Sequence, residues 1–280
     1  MTTAIRVAHS PDSDDAFMFY ALADGRIDTG DLRYEHELSD IESLNQRARR
    51  KELDVSAVSI HAYAYIADDY ALLNSGSSMG DGYGPRLVGN RAAGADARQE
   101  ARGRRIAVPG LLTTAYLALR LWQPEFEPLV VPFDQIEATV ARGDADLGLL
   151  IHEGQLTYAD DGFRLWVDLG AWWLSETGLP LPLGGNVVRR DLGPAIIDQV
   201  ARDLRASIVY ALEHRAPALE HARQYNRGIS EQRTDTFVGM YVNRWTVDYG
   251  DRGRQAVQLL LDRAAEAGVI PRKVNVDFVG

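Results

Sequence analysis

The sequence contains no cysteine among its 280 residues. Disulfides, a thiolate nucleophile and a cysteine-ligated zinc site are therefore all excluded. The 30 lysines and arginines are outnumbered by 40 aspartates and glutamates, which gives a formal net charge of -10. Because phosphate backbones and anionic lipid surfaces are bound by clustered basic side chains, we expect no nucleic-acid partner and no membrane partner. An anionic small molecule is still allowed, provided that local hydrogen-bond donors hold it.

Long apolar runs are missing as well. No stretch approaches the roughly 18 to 20 apolar residues of a membrane-spanning helix. Residues 1–7 lead directly into a strand pattern, without the charged region, long apolar region and cleavage site of a signal peptide. We therefore expect a cytoplasmic protein.

Two series of alternating strand and helix patterns follow one another along the chain. In the first series, Ser39 and Glu42 have the spacing of a capping box, which predicts that a helix begins there. Residues 90–104 are rich in alanine, glycine and charge, and predict a surface or crossing helix. The second series contains a helix predicted from Thr114 to Trp122 and a strand predicted from Leu147 to Ile151.

This alternation predicts an α/β fold with two lobes and a ligand cleft between them. The Gly184-Gly185 pair precedes the strand signal Val187-Val188, which indicates that the chain returns there to the first lobe. We expect a discontinuous first lobe formed by residues 1–90 and 184–280, and a second lobe formed by residues 91–183.

One histidine stands out by its position. His152 follows the predicted strand that ends at Ile151, and open α/β sheets bind their ligands at the carboxyl ends of strands. The alternative is a histidine that finishes a strand and hydrogen-bonds locally.

Two further segments are candidates for ligand binding. Thr113 and Thr114 open a predicted helix, so their hydroxyls and the free backbone N–H groups can converge on a carboxylate, or simply cap the helix. Ser10 begins the polar turn after the first strand. In that turn Asp14 and Asp15 can either cap the next helix or accept hydrogen bonds from substrate hydroxyls.

Metal and nucleotide motifs are not found. The pair His152-Glu153 starts like a zincin helix, but Leu156 occupies the position of the second histidine, so we predict no metal site. Gly80, Gly82 and Gly84 lack the dinucleotide-binding spacing, and tight turning explains them better.

A set of motifs that covers most of the chain carries a family resemblance. The motifs are residues 10–15, 17–20, 75–85, Pro109-Gly110 with 113–116, 151–153, 167–170 with Trp172-Trp173, 177–184 and 190–193. With these motifs the chain resembles the 1,4-dihydroxy-6-naphthoate synthases of the futalosine route to menaquinone.

The resemblance implies a two-lobed fold like that of the type II periplasmic binding proteins, used as a cytoplasmic enzyme. It implies a carbon-carbon lyase that converts cyclic dehypoxanthinylfutalosine to 1,4-dihydroxy-6-naphthoate, with a small anionic substrate and no metal or redox cofactor. The oligomeric state stays open.

The resemblance also gives roles to individual residues. His152 matches the family's proton acceptor, Thr113 and Thr114 match a substrate-binding pair, and the segment Ala57-Val58-Ser59 matches a second substrate-binding segment. An imidazole can accept a proton near neutral pH. We therefore expect His152 to remove a substrate hydroxyl proton, which starts a retro-aldol-like cleavage.

The chain departs from the family pattern in two segments. The family's first loop usually reads Ser-Pro-Cys-Pro-Asn-Asp-Thr, whereas Asp12, Ser13, Asp14 and Ala16 stand here at the Cys, Pro, Asn and Thr positions. Ala57 stands where lysine is common, so a cation that would meet an anionic group is missing.

Two other functions stay open at this point. A chorismate dehydratase of the same pathway shares the fold, but the Ile-His-Glu setting of His152 favours the synthase. A non-catalytic solute-binding protein is a third possibility, against which the missing signal peptide counts.

Overall fold

The computed structural model describes residues 2–225 and 230–280, which form an α/β protein with two β-sheets. Residues 1 and 226–229 belong to the predicted first lobe and lie outside the described residues. The strands are β1 (Thr3–His9), β2 (Leu32–Leu38), β3 (Val55–Ser59), β4 (Tyr70–Leu73), β5 (Ser78–Gly80), β6 (Arg86–Gly89), β7 (Arg105–Val108), β8 (Glu127–Val130), β9 (Leu147–Leu150), β10 (Arg164–Asp168), β11 (Leu181–Arg189) and β12 (Phe278–Val279).

Helices connect these strands and form most of the C-terminal part. They are α1 (Ser13–Ala23), α2 (Ile41–Arg49), α3 (Ile60–Tyr63), α4 (Ala97–Glu100), α5 (Thr114–Trp122), α6 (Ile136–Ala141), α7 (Gly154–Thr157), α8 (Leu169–Thr177), α9 (Pro194–Glu213), α10 (Arg215–Arg223), α11 (Glu231–Tyr241), α12 (Arg244–Val247) and α13 (Gly250–Glu266). In the described part of the chain, none of the helices has both the length and the apolar character needed to span a bilayer.

The first sheet has the strand order β12-β4-β11-β3-β1-β2, and β5 also pairs with β11. Strands β1, β2 and β3 run parallel, whereas β11 is antiparallel to β3, β4 and β5. The second sheet has the order β10-β6-β9-β7-β8, with β7 parallel to both β8 and β9. The two sheets form the cores of two lobes, as the alternating sequence pattern predicts. The assignment of every residue to a lobe, with boundaries near residues 90 and 184, stays a prediction.

Local sequence explains where several helices begin. Helix α5 spans the predicted residues Thr114 to Trp122, and Thr113 caps it. The capping box predicted for α2 is wrong: the N-cap is Asp40, whose carboxylate accepts a hydrogen bond from the Ser43 N–H at 3.0 Å. Asp40 thus plays the capping role that was expected of the serine, but on the Ser43 N–H and not on the Glu42 N–H that the serine would have met.

The surface helix predicted within residues 90–104 is much shorter than that segment. Only the single turn α4 forms there, and none of its residues is buried. Only small side chains of this segment reach the core: Ala101 is buried in it, and Ala93 and Ala97 pack against it. Without large apolar side chains, a longer helix has little to stabilise it.

Helix α1 shows the opposite behaviour. Its residues Ala16 to Ala21 are all buried, because α9 and α10 cover the sides that the first sheet leaves open. The Ser207 hydroxyl of α9 donates to the Met18 carbonyl at 2.7 Å. A helix that is apolar all round is stable only when it is enclosed in this way.

Candidate functional site

A cleft with about 740 Å³ of empty space lies between the two sheets. All nine residues that the sequence selects as site candidates line it: Ser10, Asp14, Asp15, Ala57, Val58, Ser59, Thr113, Thr114 and His152. The structure therefore brings together side chains from both lobes.

The direction of the strands explains this meeting. Because β1 and β3 run parallel, the segments after them, which begin with Ser10 and Ile60, leave the same edge of the first sheet. Because β7 and β9 run parallel, Thr113 and His152 follow strands that end at one edge of the second sheet. Carboxyl ends of parallel strands are the usual place for a ligand in such sheets.

The imidazole of His152 is fixed from several sides. The residue has a φ of 57°, in the left-handed region that non-glycine residues rarely adopt. Its Nδ1 lies 3.1 Å from Oδ2 of Asp12, which belongs to the other lobe. The Phe133 ring packs edge-on against it, with ring centroids 4.9 Å apart. The partner from the opposite lobe argues against a histidine that merely finishes its strand.

The second ring nitrogen has a different environment. Nε2 of His152 is buried and has no hydrogen-bond partner within residues 2–225 and 230–280. The residue lines the cleft, and 16% of its side chain is exposed. One ring nitrogen is thus paired with Asp12, whereas the other has no partner among the described residues.

The loop after β1 supplies three carboxyl groups. Asp12 stands at the N-cap of α1, and Asp14 and Asp15 lie in the first turn of that helix. The prediction that Asp14 or Asp15 caps the helix is therefore wrong. The Asp15 carboxylate instead accepts a hydrogen bond from the Ser10 N–H at 2.8 Å, and the Ser10 hydroxyl donates to Asp12. The loop is therefore held by its own carboxylates.

A fourth carboxyl group comes from the second lobe. Glu153 is buried and accepts a hydrogen bond from the Ser13 hydroxyl at 3.2 Å. Burial raises the pKa of Asp14 well above its usual value, and Asp15, Asp12 and Glu153 add to the effect. Burial also raises the pKa of Asp15 to about 7, with Asp12 as the next cause. Near neutral pH Asp14 and Asp15 can therefore carry protons and donate hydrogen bonds into the cleft.

The two threonines at the start of α5 both have structural partners. The Thr113 hydroxyl accepts a hydrogen bond from the Tyr116 N–H at 3.2 Å, which confirms the capping role. The Thr114 hydroxyl accepts from the His61 N–H at 3.1 Å and donates to the Leu183 carbonyl at 2.5 Å. The first N–H groups of α5 have no acceptor inside the helix and start at the cleft, so ligand binding by this helix end is compatible with both bonds.

On the opposite side, β3 forms the floor of the cleft with its last three residues. Ser59 is paired with Gly184 of β11, and its N–H donates to Oδ1 of Asn45 at 2.9 Å. The Asn45 side chain donates in return to the Ser59 hydroxyl at 3.1 Å. The hydroxyl hydrogen of Ser59 is then free to point at a ligand. Ala57 and Val58 contribute apolar surface.

Several cleft residues escape sequence reasoning. Asn186 donates from Nδ2 to the Gly76 carbonyl at 2.9 Å, while its Oδ1 is buried without a partner among the described residues. The side chains of Gln155 and Tyr241 meet at 2.8 Å. The only sequence signal for Asn186 is its place after the Gly184-Gly185 pair, and Tyr241 lies on a C-terminal helix far along the chain. Asp12 has no signal beyond its neighbours in the first loop.

The structure was also searched for side chains that could bind a metal ion. Across the described residues, no three histidine, aspartate or glutamate side chains are arranged to hold a metal ion. The groups that the cleft offers to a ligand are an imidazole nitrogen, carboxyl groups, hydroxyls and amides.

Comparison with known sequences gives the family of the chain. The family model described as menaquinone biosynthesis matches residues 5–266. A curated 1,4-dihydroxy-6-naphthoate synthase of Thermus thermophilus is 40% identical over 95% of this chain and 96% of its own length. Its counterpart in Streptomyces coelicolor is 39% identical, with 95% of each chain covered.

Comparison with solved structures gives the fold. A crystal structure of an Archaeoglobus fulgidus protein matches with a TM-score of 0.91 and 45% identity, over 95% of this chain and 98% of that one. The alkanesulfonate-binding protein of Xanthomonas axonopodis, solved with MOPS, matches with a TM-score of 0.73 at 15% identity, over 99% and 97% of the two chains. The predicted periplasmic-binding-protein-like fold is thereby confirmed.

Proposed function

The chain belongs to the menaquinone-biosynthesis family, whose curated relatives are 1,4-dihydroxy-6-naphthoate synthases, and we propose that His152 is the general base of that reaction. The protein is accordingly an enzyme of menaquinone biosynthesis and a lyase. The observation that carries the role of His152 is its buried Nε2, which has no partner in the described part of the protein and belongs to a residue that lines the cleft.

The proposed step is a proton transfer that starts a carbon-carbon cleavage. Nε2 of His152 removes the proton of a hydroxyl group of cyclic dehypoxanthinylfutalosine. The electron pair of the broken O–H bond forms the carbonyl group of the departing fragment, and the adjacent carbon-carbon bond breaks in the manner of a retro-aldol reaction. The electron pair of that bond is left as an enolate on the other fragment, to which the His152 imidazolium returns the proton. The remaining part becomes the aromatic naphthoate.

We propose that uncharged hydrogen-bond donors, and not a basic side chain, bind the anionic group of the substrate. Among the described residues that line the cleft there is no lysine or arginine. We place the anionic group of the substrate at the start of α5, where Thr113, Thr114 and the first N–H groups of the helix lie. The Ser59 hydroxyl on the opposite side completes this set of donors.

The first loop binds the hydroxyl-bearing part of the substrate in this proposal. Raised pKa values let Asp14 and Asp15 carry protons, which weakens the repulsion that four ionised carboxylates would exert on an anionic substrate. Ser10 adds a hydroxyl at the same place. As the family resemblance implies, we place the reaction in the cytoplasm.

The test is a direct assay of two substrates. Purified protein is incubated with cyclic dehypoxanthinylfutalosine and, separately, with chorismate, and the products are followed by mass spectrometry. We expect 1,4-dihydroxy-6-naphthoate from the first and no dehydration of the second. Loss of a general base typically lowers a rate by about 10²- to 10⁴-fold, so we expect His152→Ala to lower kcat by that factor.

A matched control uses a histidine away from the cleft. His214 is exposed at the end of α9, and His214→Ala should keep the normal kcat. Near-normal naphthoate release by His152→Ala would refute the proposed base. Release of dehydrated chorismate would instead identify the related dehydratase.

A further inference from the structure

Asp12 and His152 form a contact across the cleft that joins the two lobes. Asp12 follows β1 of the first sheet, and His152 follows β9 of the second sheet. Their facing atoms, Oδ2 and Nδ1, are 3.1 Å apart, which is hydrogen-bond distance. Only 1% of the Asp12 side chain is exposed.

We propose that Asp12 is a positioning residue, whose carboxylate holds the His152 imidazole in the tautomer and orientation that its role as a base requires. A carboxylate accepts hydrogen bonds and cannot donate one, so the hydrogen of a neutral imidazole must sit on Nδ1. Nε2 then carries the lone pair and faces the substrate. This inference rests on the proposed function of His152.

The surroundings support a fixed pair over a chance contact. The Ser10 hydroxyl donates to the same carboxylate and holds it in place. Asp12 stands at the N-cap of α1, yet its side chain makes no capping hydrogen bond to that helix. The carboxylate is therefore directed to His152 by its loop.

The backbone of His152 contributes to the same orientation. Its left-handed φ of 57° is costly for a residue other than glycine and persists only when the surroundings impose it. The Phe133 ring closes one side of the imidazole. With Asp12 at Nδ1, the ring is constrained by the backbone, an aromatic neighbour and an ionic partner.

Asp12 has a second effect on His152 when the imidazole accepts a proton. When Nε2 takes a substrate proton, the ring becomes an imidazolium, and the adjacent carboxylate stabilises that charge. The ring must keep Nε2 toward the substrate in each turnover. Asp12 therefore acts on kcat and has little effect on ground-state binding.

The first test observes the tautomer directly in the unaltered protein. Protein labelled with ¹⁵N-histidine is examined by NMR at a pH at which the ring is neutral, and the signal missing from the spectrum of His152→Gln identifies His152. We expect the Nδ1–H tautomer to dominate. A dominant Nε2–H tautomer in the unaltered protein would overturn the proposal, whether or not the protein is a naphthoate synthase.

The second test removes the charge with almost no change of shape. An amide can present either its oxygen or its NH₂ group to Nδ1, so Asp12→Asn should shift the His152 tautomer toward Nε2–H. We expect kcat with cyclic dehypoxanthinylfutalosine to fall by about 10²- to 10⁴-fold while KM changes less than about threefold. Asp251→Asn, at an exposed aspartate in the first turn of α13, is the matched control and should change neither value.

The two hypotheses fail in different ways. If His152→Ala is inactive but Asp12→Asn keeps both its kcat and its tautomer, the positioning role is wrong and the proposed base stands. If the unaltered protein makes no naphthoate, the proposed function is wrong, and the NMR experiment still decides whether Asp12 sets the tautomer. A larger KM at unchanged kcat in Asp12→Asn would show that the pair serves only to hold the lobes together.

Discussion

Buried titratable side chains are concentrated around the first loop and extend beyond the cleft. His9 at the end of β1 is buried, stacks on Phe19 with ring centroids 4.4 Å apart, and lies 3.4 Å from a ring nitrogen of His36. Burial lowers the pKa of His9 to about 4, against the raising effect of its bond to Ser10, and His36 and His221 lower it further. The folded protein therefore holds His9 neutral where an unfolded chain would protonate it.

This difference predicts a pH-dependent stability. Above pH 6.5 His9 is neutral in both states and its effect is constant. As the pH falls from 6.5 to about 4, the unfolded chain binds a proton that the folded protein excludes, so stability is lost, by up to about 3 kcal/mol. Below pH 4 the loss stops growing.

The measurement is urea unfolding of the protein and of His9→Gln across pH 4 to 8. Asp15, with its raised pKa, acts in the opposite direction over part of this range, so the difference between the two proteins is the informative quantity. That difference should shrink or reverse toward pH 4. A difference for His9→Gln that stays constant across this pH range would contradict the prediction.

Elements differ in how well the sequence predicts them, for physical reasons. Helix α5 lies where the sequence predicts it, at about Thr114 to Trp122, because a capping threonine and an apolar pattern agree. Strand β9 is predicted with one residue too many, since Ile151 already belongs to the turn that holds His152. Residues 90–104 form a much shorter helix than predicted, because local propensity for a helix is not enough without large apolar side chains to bury.

Local sequence also predicts only part of the cleft. Strand ends are readable from local pattern, so His152 and the loop residue Ser10 are found. The contact between Asp12 and His152 joins two lobes and depends on how the sheets face each other, which no local pattern encodes. Asn186 is missed for the same reason: its polar atoms matter only because β11 passes along the cleft.

The start of α5 yields a prediction at the scale of one element. The Thr113 hydroxyl accepts from the Tyr116 N–H and donates to the Gly110 carbonyl at 2.9 Å. Loss of an N-cap typically costs about 1 kcal/mol, so Thr113→Ala should lower the free energy of unfolding by about 1 to 2 kcal/mol in urea. Thr113→Ser keeps the hydroxyl and should recover most of the loss. Equal stability of the alanine and serine variants would show that the cap contributes nothing.

At the scale of the whole molecule, the chain passes between the sheets through a very close backbone contact. Residues 81–85 connect β5 of the first sheet to β6 of the second, and they cross the start of α8. A Cβ atom on Gly170 would lie 1.8 Å from the Tyr83 carbonyl oxygen and 2.6 Å from the Gly84 nitrogen. Glycine is required there because the obstructing atoms are backbone, which has no rotamer by which to move aside.

We therefore expect Gly170→Ala to disturb the whole molecule. Either the crossing segment or α8 must shift, and overpacking of this kind costs about 1 to 3 kcal/mol or more. The free energy of unfolding in urea should therefore fall by at least about 1 kcal/mol. The value of kcat/KM should fall as well, because the crossing segment joins the two sheets that border the cleft. Gly239→Ala is the matched control: its Cβ would meet only the Arg215 guanidinium at 3.6 Å, and alanine is favoured over glycine inside α11 by up to about 1 kcal/mol. If both variants keep full stability and activity, the close contact does not hold the lobes in register.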